Sequence, residues 1–245
     1  MGFIISIFNT FLYQPLFNAL IILYEYLPGH DFGIAVIVLT ILIKFLFYPL
    51  GKKAIASQKA LSELQPKVKE IQEKYKDNKE KQAKEVMALY KREKISPFSG
   101  FLLLLVQLPV LLALYRVFWQ GLNPEQMALL YSFMPSIETI NPTFLGIMNL
   151  SQPNLILAVL AGISQFFQVK MMSISKSKGK EKSGPAKSLT NKPDFSKMMQ
   201  TQMQYFLPIF TLLILFRLPA AIGLYWLVTT LFTIIQQYIF NKKHA

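Results

Sequence analysis

Five apolar stretches, none containing Asp or Glu, alternate with segments into which most of the lysines are gathered. This segregation constrains the fold more than any other property of the chain. The stretches are Phe32–Leu50, Phe98–Trp119, Pro153–Met172, Gln204–Leu218 and Pro219–Phe240. A hydrocarbon core about 30 Å thick needs about 20 helical residues, which all but the fourth supply. Gln204–Leu218 reaches only about 22 Å at 1.5 Å per residue, so it requires a locally thin bilayer or neighbours that cover its ends. Composition agrees: 53% hydrophobic residues coexist with a formal net charge of +13 in 245 residues. Soluble domains seldom combine the two, whereas apolar spans joined by lysine-rich loops do so naturally.

The basic residues also set the orientation. Gly51–Ser96 carries thirteen of them, from Lys52 to Lys94, Ser173–Met203 carries seven, and the tail adds Lys242 and Lys243. Met1–Asp31 and Gln120–Gln152 carry none. The positive-inside rule therefore places the basic segments in the cytoplasm, and five spans alternate without conflict, with a tight outer turn at Arg217–Pro219. Ile4–Leu27 is apolar, but Gln14, Asn18 and Glu25 share one helical face. That pattern predicts an amphipathic helix on the outer membrane surface; a sixth span starting in the cytoplasm satisfies the same parity. The N-terminus lacks the basic start and cleavage site of a secretory signal, so residue 1 is read as part of the working protein.

Two soluble segments follow. In Lys52–Lys94, Leu61, Leu64, Val68 and Ile71 recur at helical steps, Val86 and Leu89 repeat the pattern, and Lys76-Asp77-Asn78-Lys79 supplies a turn. The expectation is a helical hairpin in the cytoplasm, with Pro66 kinking or interrupting its first helix. Its charge suits anionic lipid headgroups or ribosomal RNA, although an ordinary solvated loop fits the same residues. Ser173–Ser196, rich in Lys, Ser and Gly, reads as a flexible linker.

The polar residues within the spans are the candidates for function. Lys44 is the one fixed charge deep in a span, and Thr40 and Tyr48 lie on its face. Insertion of a central lysine costs about 2.5 to 3.5 kcal/mol, which a snorkelling side chain relieves. Gln107, Gln165, Gln168, Trp226, Thr229, Thr230 and Thr233 add polar groups that must face the bundle interior. They either bind helices together or line a wet cavity with Lys44 on its wall, where an ammonium attracts a carboxylate by about 4 kcal/mol at 4 Å. The spans lack the carboxylates of proton- and cation-coupled carriers. With no cysteine and only two histidines, thiolate and histidine-rich metal sites are excluded, and no P-loop is present.

Several runs resemble one family. Leu64-Gln65-Pro66-Lys67, Ile71-Gln72-Glu73-Lys74-Tyr75-Lys76 and Met87-Ala88-Leu89-Tyr90-Lys91 are similar to the cytoplasmic hairpin of the YidC/Oxa/Alb insertases. Ser96-Pro97-Phe98-Ser99-Gly100, Gln107-Leu108-Pro109 and Ala113-Leu114-Tyr115 resemble the next span. Pro219 to Trp226 and Ile235-Gln236-Gln237-Tyr238 resemble the last. The resemblance covers the chain from about Tyr13, in order and spacing. It departs at Gly100-Phe101-Leu102-Leu103, which lacks the family's small residue and proline, and at Gly146, where an outer-loop tryptophan is common. The family's groove arginine is matched by Lys44, which keeps the charge and loses the bidentate fork.

The resemblance implies an all-α polytopic membrane protein: five transmembrane helices around a cytoplasm-open polar groove, a cytoplasmic helical hairpin and an N-terminal interfacial amphipathic helix. The plan is 1–31 outer-surface helix, 32–50 first span, 51–96 hairpin, 97–119 second span, 120–152 external loop, 153–172 third span, 173–203 linker, 204–218 and 219–240 last spans, and 241–245 tail. It further implies an insertase and folding chaperone of the short bacterial form, without the large external domain, in the cell inner membrane with its C-terminus cytoplasmic. No covalent chemistry and no cofactor are implied. The expected groove residues are Lys44, Thr40, Gln168, Trp226, Gln107 and Tyr225; the expected hairpin contacts are Leu64, Gln65, Pro66, Tyr75 and Tyr90. Expected partners are nascent membrane proteins, with the ribosome, the Sec translocon and anionic lipid headgroups as further candidates. A small-solute transporter or channel, or a passive scaffold or ribosome tether, are the alternatives.

Overall fold

The computed structural model describes residues 2–96, 99–120, 124–134, 139–174, 206 and 208–243. The expected linker 173–203 and the start of the fourth span fall almost wholly outside these residues. The fold is helical. Helix α1 (Gly2–Phe8) passes through a π-helical turn, Asn9–Tyr13, into α2 (Gln14–Tyr26). Helices α3 (Phe32–Leu46), α4 (Tyr48–Lys74), α5 (Lys79–Arg92) and α6 (Ser99–Gln120) follow. After the loop come α7 (Leu155–Ile174), α8 (208–215) and α9 (Ala220–Lys243). Ile5–Tyr26 and Ala220–Lys243 are long and apolar enough to cross a bilayer, and α3 with α4 makes a third such run if the bent pair is taken as one. Gln107–Trp119 and Leu155–Met171 are apolar over shorter lengths.

One expectation about helix limits is corrected and another is narrowed. The first apolar stretch does not continue helically to Leu50: α3 ends at Leu46, and α4 leaves it at 66°. Phe47 sits at φ −91°, ψ 9°, outside the helical basin. Pro49 has no N–H for the carbonyl four residues back but suits the first turn of the helix that follows. Pro66, conversely, does not interrupt its helix. It lies inside α4 with its ring exposed.

The packing inverts the polarity of a soluble domain. Large apolar side chains stand exposed along α7 (Leu155, Ile156, Leu160, Ile163, Phe167), α8 (Ile209, Leu213) and α9 (Leu231, Ile235, Ile239). Thr40, Ser164, Gln165, Thr211, Thr230, Thr233, Gln236 and Gln237 are buried between the helices. Amides and hydroxyls removed from solvent must find partners inside, so this arrangement suits lipid outside and hydrogen bonds within. Helix α9 lies between α7 and α3 and supplies much of the interior, from Ala220 to Phe240.

The loop before α7 adds an element that an all-helical expectation omits. Thr143–Phe144 and Met148–Asn149 form an antiparallel β-hairpin with Thr143 opposite Asn149. Its turn places Leu145 and Gly146 at φ 52° and 67°, closed by the Ile147 N–H on the Phe144 carbonyl at 3.0 Å. Two successive positive φ values are the geometry of the tightest hairpin turns, and glycine is the residue that adopts them without a Cβ clash. Gly146, where tryptophan was the expected residue, is thus explained by backbone. Asp31 fastens this hairpin to α3: one carboxylate oxygen caps the Ile34 N–H at 2.8 Å, and the other accepts from the Leu145 N–H.

The polar face of α2 finds partners within the chain. Asn18, 1% exposed, donates to the Leu129 carbonyl and accepts from the Tyr131 N–H, and Gln14 also donates to Leu129. Tyr24 Oη accepts from the Asn141 N–H, and Tyr13 Oη donates to Gln126. Gln14 and Asn18 therefore dock against backbone groups of Leu129 and Tyr131.

Candidate functional site

Polar junctions join α9 to α6, α7 and α3, besides the one to α4 described below. The α-helical repeat places Trp226, Thr230, Thr233 and Gln237 on one face and Tyr225, Phe232 and Gln236 beside it. At the first junction, Tyr225, 2% exposed, accepts through its hydroxyl from Gln107 Nε2 on α6. At the second, Trp226 Nε1 donates to Gln165 Oε1 on α7 at 2.9 Å. At the third, Lys44 Nζ on α3 donates to Thr233 Oγ1 at 3.0 Å and lies 5.7 Å from the Phe232 ring centroid. Trp226 and Thr233 are seven residues apart, so the second and third junctions differ in depth by about 10 Å.

Lys44 is two residues from the end of α3, nearer a helix terminus than a stretch running to Leu50 suggests. Lys44 is half-buried, and its ammonium is directed at α9. Among the described residues no ion pair joins Lys44 to a carboxylate. An ammonium has three donors; Thr233 takes one.

The expected groove residues fare unequally. Tyr225 and Gln107 meet directly, and Trp226 and Lys44 both have partners on neighbouring helices. Thr40 is buried one turn from Lys44, but its hydroxyl donates to the Val36 carbonyl of its own helix at 2.6 Å. Gln168 is half-buried, and its side chain makes no hydrogen bond to another described residue. Its neighbour one turn earlier, Gln165, holds Trp226. Thr233 and Gln165 are the members that an expectation centred on Gln168 leaves out. The i, i+7 step from Trp226 to Thr233 was the signal that places Thr233 on the same face.

At the other end, α4 and α5 form the hairpin. Leu64 and Val68 on α4 and Leu89 on α5 are buried, with Leu61, Ile71 and Val86 half-buried around them. Asn78 caps α5 by accepting from the Lys81 N–H, and Gln82 Nε2 donates to the Gln72 carbonyl at 2.7 Å, closing the turn. Tyr75 is clasped by Lys74 and Lys81, whose ammonium groups lie 5.5 and 5.1 Å from its ring. Tyr90 is half-buried, and that burial pushes its phenol up from its ordinary value. Lys67 donates to Glu93 at 2.9 Å and holds that carboxyl below its ordinary range. Pro66 is exposed, and Gln65 is half-buried. The described residues contain no group of His, Asp and Glu able to hold a metal ion.

Comparison with known proteins places the chain in a family. The profile of the 60Kd inner membrane protein matches residues 22–245. The chain is 36% identical over 233 residues to the membrane protein insertase YidC of Syntrophus aciditrophicus (strain SB), covering 94% of this chain and 36% of that one. It is 33% identical over 235 residues to YidC of Geobacter metallireducens, covering 95% and 37%, and 30% identical over 237 residues to YidC of Rickettsia bellii, covering 94% and 38%. The chain thus spans 36% to 38% of the length of these relatives. A match of this extent, with the hairpin, second-span and last-span motifs in their family order, means that the chain belongs to the 60Kd inner membrane protein family, the YidC/Oxa/Alb family that those motifs resemble.

Proposed function

We propose that this protein is a membrane protein insertase and folding chaperone that moves nascent membrane proteins from the cytoplasm into the bilayer. Five segments span the membrane around a polar groove open to the cytoplasm: α3, α6, α7, α9 and the short fourth span expected at 204–218, to which α8 belongs. The observation that carries this reading is the row of amide, hydroxyl and ammonium groups from Trp226 to Lys44, enclosed by helices whose other faces are apolar. The relatives' name adds to it. The hairpin receives the hydrophobic segment. Lys44 and its polar surroundings draw a short polar or acidic tail into the groove, and the short helix α8 thins the bilayer that the tail must cross. Burial of the apolar segment in lipid supplies the energy, at about 0.3 to 0.6 kcal/mol for each favourable large apolar residue. No covalent step is needed.

The contacts of α2 support an interfacial placement for the N-terminal helix. From Asn9 to Tyr24 its side-chain hydrogen bonds to other elements go to Arg116 near the end of α6 and then to Gln126, Leu129, Tyr131 and Asn141 of the adjoining loop. That is about 22 Å of helix meeting the loop end throughout, whereas a crossing helix meets it at one terminus. Neither this helix nor the loop carries Lys or Arg, as the outer side requires.

The test is reconstitution of the purified chain in liposomes with a single-span substrate bearing an acidic tail, read by protection of that tail from protease. Wild type protects it, Lys44→Ala protects less, and Lys44→Glu is worse than alanine. Deletion of Lys59–Lys91 reduces insertion. If Lys44→Ala inserts the acidic-tailed substrate as well as wild type, the electrostatic step is wrong; solute flux without any protein substrate points to a channel instead.

A further inference from the structure

The bend at Phe47 separates two structures with different tasks in the function proposed above: the span carrying Lys44 and the helix leading into the hairpin. A single residue outside the helical basin does not by itself fix an angle of 66°. What grips the bend is one turn of α9. Before the bend, Thr233 takes Lys44 and the Phe232 ring meets Phe45 edge-on at 5.4 Å. After the bend, the same ring meets Tyr48 at 6.5 Å, and Gln236 Nε2 donates to the Tyr48 carbonyl at 3.0 Å.

Gln236 is 5% exposed, and the room for its amide comes from Gly51. A Cβ at position 51 would lie 2.9 Å from Gln236 Oε1 and 3.0 Å from its Nε2. Glycine in a helix interior is otherwise unfavourable relative to alanine, so its presence there matches the close approach.

We infer that Gln236 and Gly51 form a latch that sets the angle between α3 and α4, making Gln236 a positioning residue that couples the hairpin to Lys44. Displacing the hairpin withdraws the Tyr48 carbonyl from Gln236 and pulls on Phe232, whose neighbour Thr233 holds the ammonium. The inference rests on the proposed role of Lys44 for its functional meaning, but the latch itself is read without any substrate.

The chain has no cysteine, so spin labels at Asp77→Cys in the hairpin turn and Leu155→Cys at the start of α7 report one distance. In lipid nanodiscs, wild type gives a narrow distribution. Gly51→Ala shifts or broadens it, and so does Gln236→Met, which keeps the length of the side chain and removes the donor. Combining Gly51→Ala with Gln236→Ala adds nothing to Gln236→Ala alone, because the colliding side chain is then gone. A purely local helix effect predicts the reverse: alanine for glycine stiffens α4, and the two changes act independently. Unchanged distances in both single variants, or additive shifts, overturn the latch. Insertion of the acidic-tailed substrate falls several-fold in Gly51→Ala; a shifted distance with wild-type insertion overturns the coupling to Lys44. If wild type itself fails to insert, the proposed function fails while the distance measurement still decides the latch.

Discussion

Replacing Asp31 by alanine removes two bonds made by one carboxylate at the loop end of the molecule. The bond to the Ile34 N–H is an N-cap, whose loss costs about 1 kcal/mol. The bond to the Leu145 N–H closes the β-hairpin onto α3 at a site where Asp31 is 9% exposed. Leaving that donor unpaired costs about 1 to 3 kcal/mol. Leu145 is also held at φ 52°, a conformation that a leucine leaves when released. The expected loss is therefore about 2 to 4 kcal/mol, or roughly 4 to 16 °C in melting temperature for a chain of this size. Asp31→Asn keeps one carbonyl oxygen and should lose about half as much. Thermal unfolding in detergent gives the total, and hydrogen exchange resolved to Ile34 and Leu145 locates it. Unchanged exchange at both amides in Asp31→Ala, with an unchanged melting temperature, refutes the reasoning.

Gln165→Leu leaves Trp226 Nε1 without its acceptor, costing about 1 to 3 kcal/mol, and shifts the emission of Trp226 to the blue when read in a Trp119→Phe background. Arg116 donates to Asn9 at 2.6 Å and lies 4.5 Å over the Tyr13 ring. Arg116→Ala should therefore expose the N-terminal helix to limited proteolysis, while Arg116→Lys retains part of the cation–π contact, worth about 0.5 to 2 kcal/mol. Glu93 has its folded pKa lowered by Lys67, so its contribution to the hairpin is full above the ordinary glutamate value of 4.5 and is lost as pH falls through the lower folded value. Hydrogen exchange of α5 should loosen across that acid window in wild type and lose the step in Lys67→Met; an unaltered step in the variant assigns it to another group.

What the sequence reveals here is whatever depends on periodicity. The hairpin core of Leu64, Val68 and Leu89 follows from three- and four-residue steps, and Lys44 stands out because a charge among apolar residues has few places to go. Hydropathy carries the first span to Leu50 because Phe45, Leu46, Phe47 and Leu50 are apolar, but it registers carbon and not backbone direction. Pro49 was the one local sign of the bend. Gln165 and Gln168 read alike, since both lie on a polar flank of α7. Which amide meets Trp226 depends on the rotation of α7 against α9, set by packing along both helices. The stripe of Gln14 and Asn18 was visible, but its partners are backbone groups more than a hundred residues away.

The length of α4 turns the bend into a mechanical amplifier. With 27 residues, the helix is an arm about 40 Å long. A rotation of about 10° at Phe47 swings its far end through about 7 Å. Conversely, a force applied at the tip acts on Phe47 with a torque proportional to that arm, so a small pull there bears hard on the few atoms at the fulcrum.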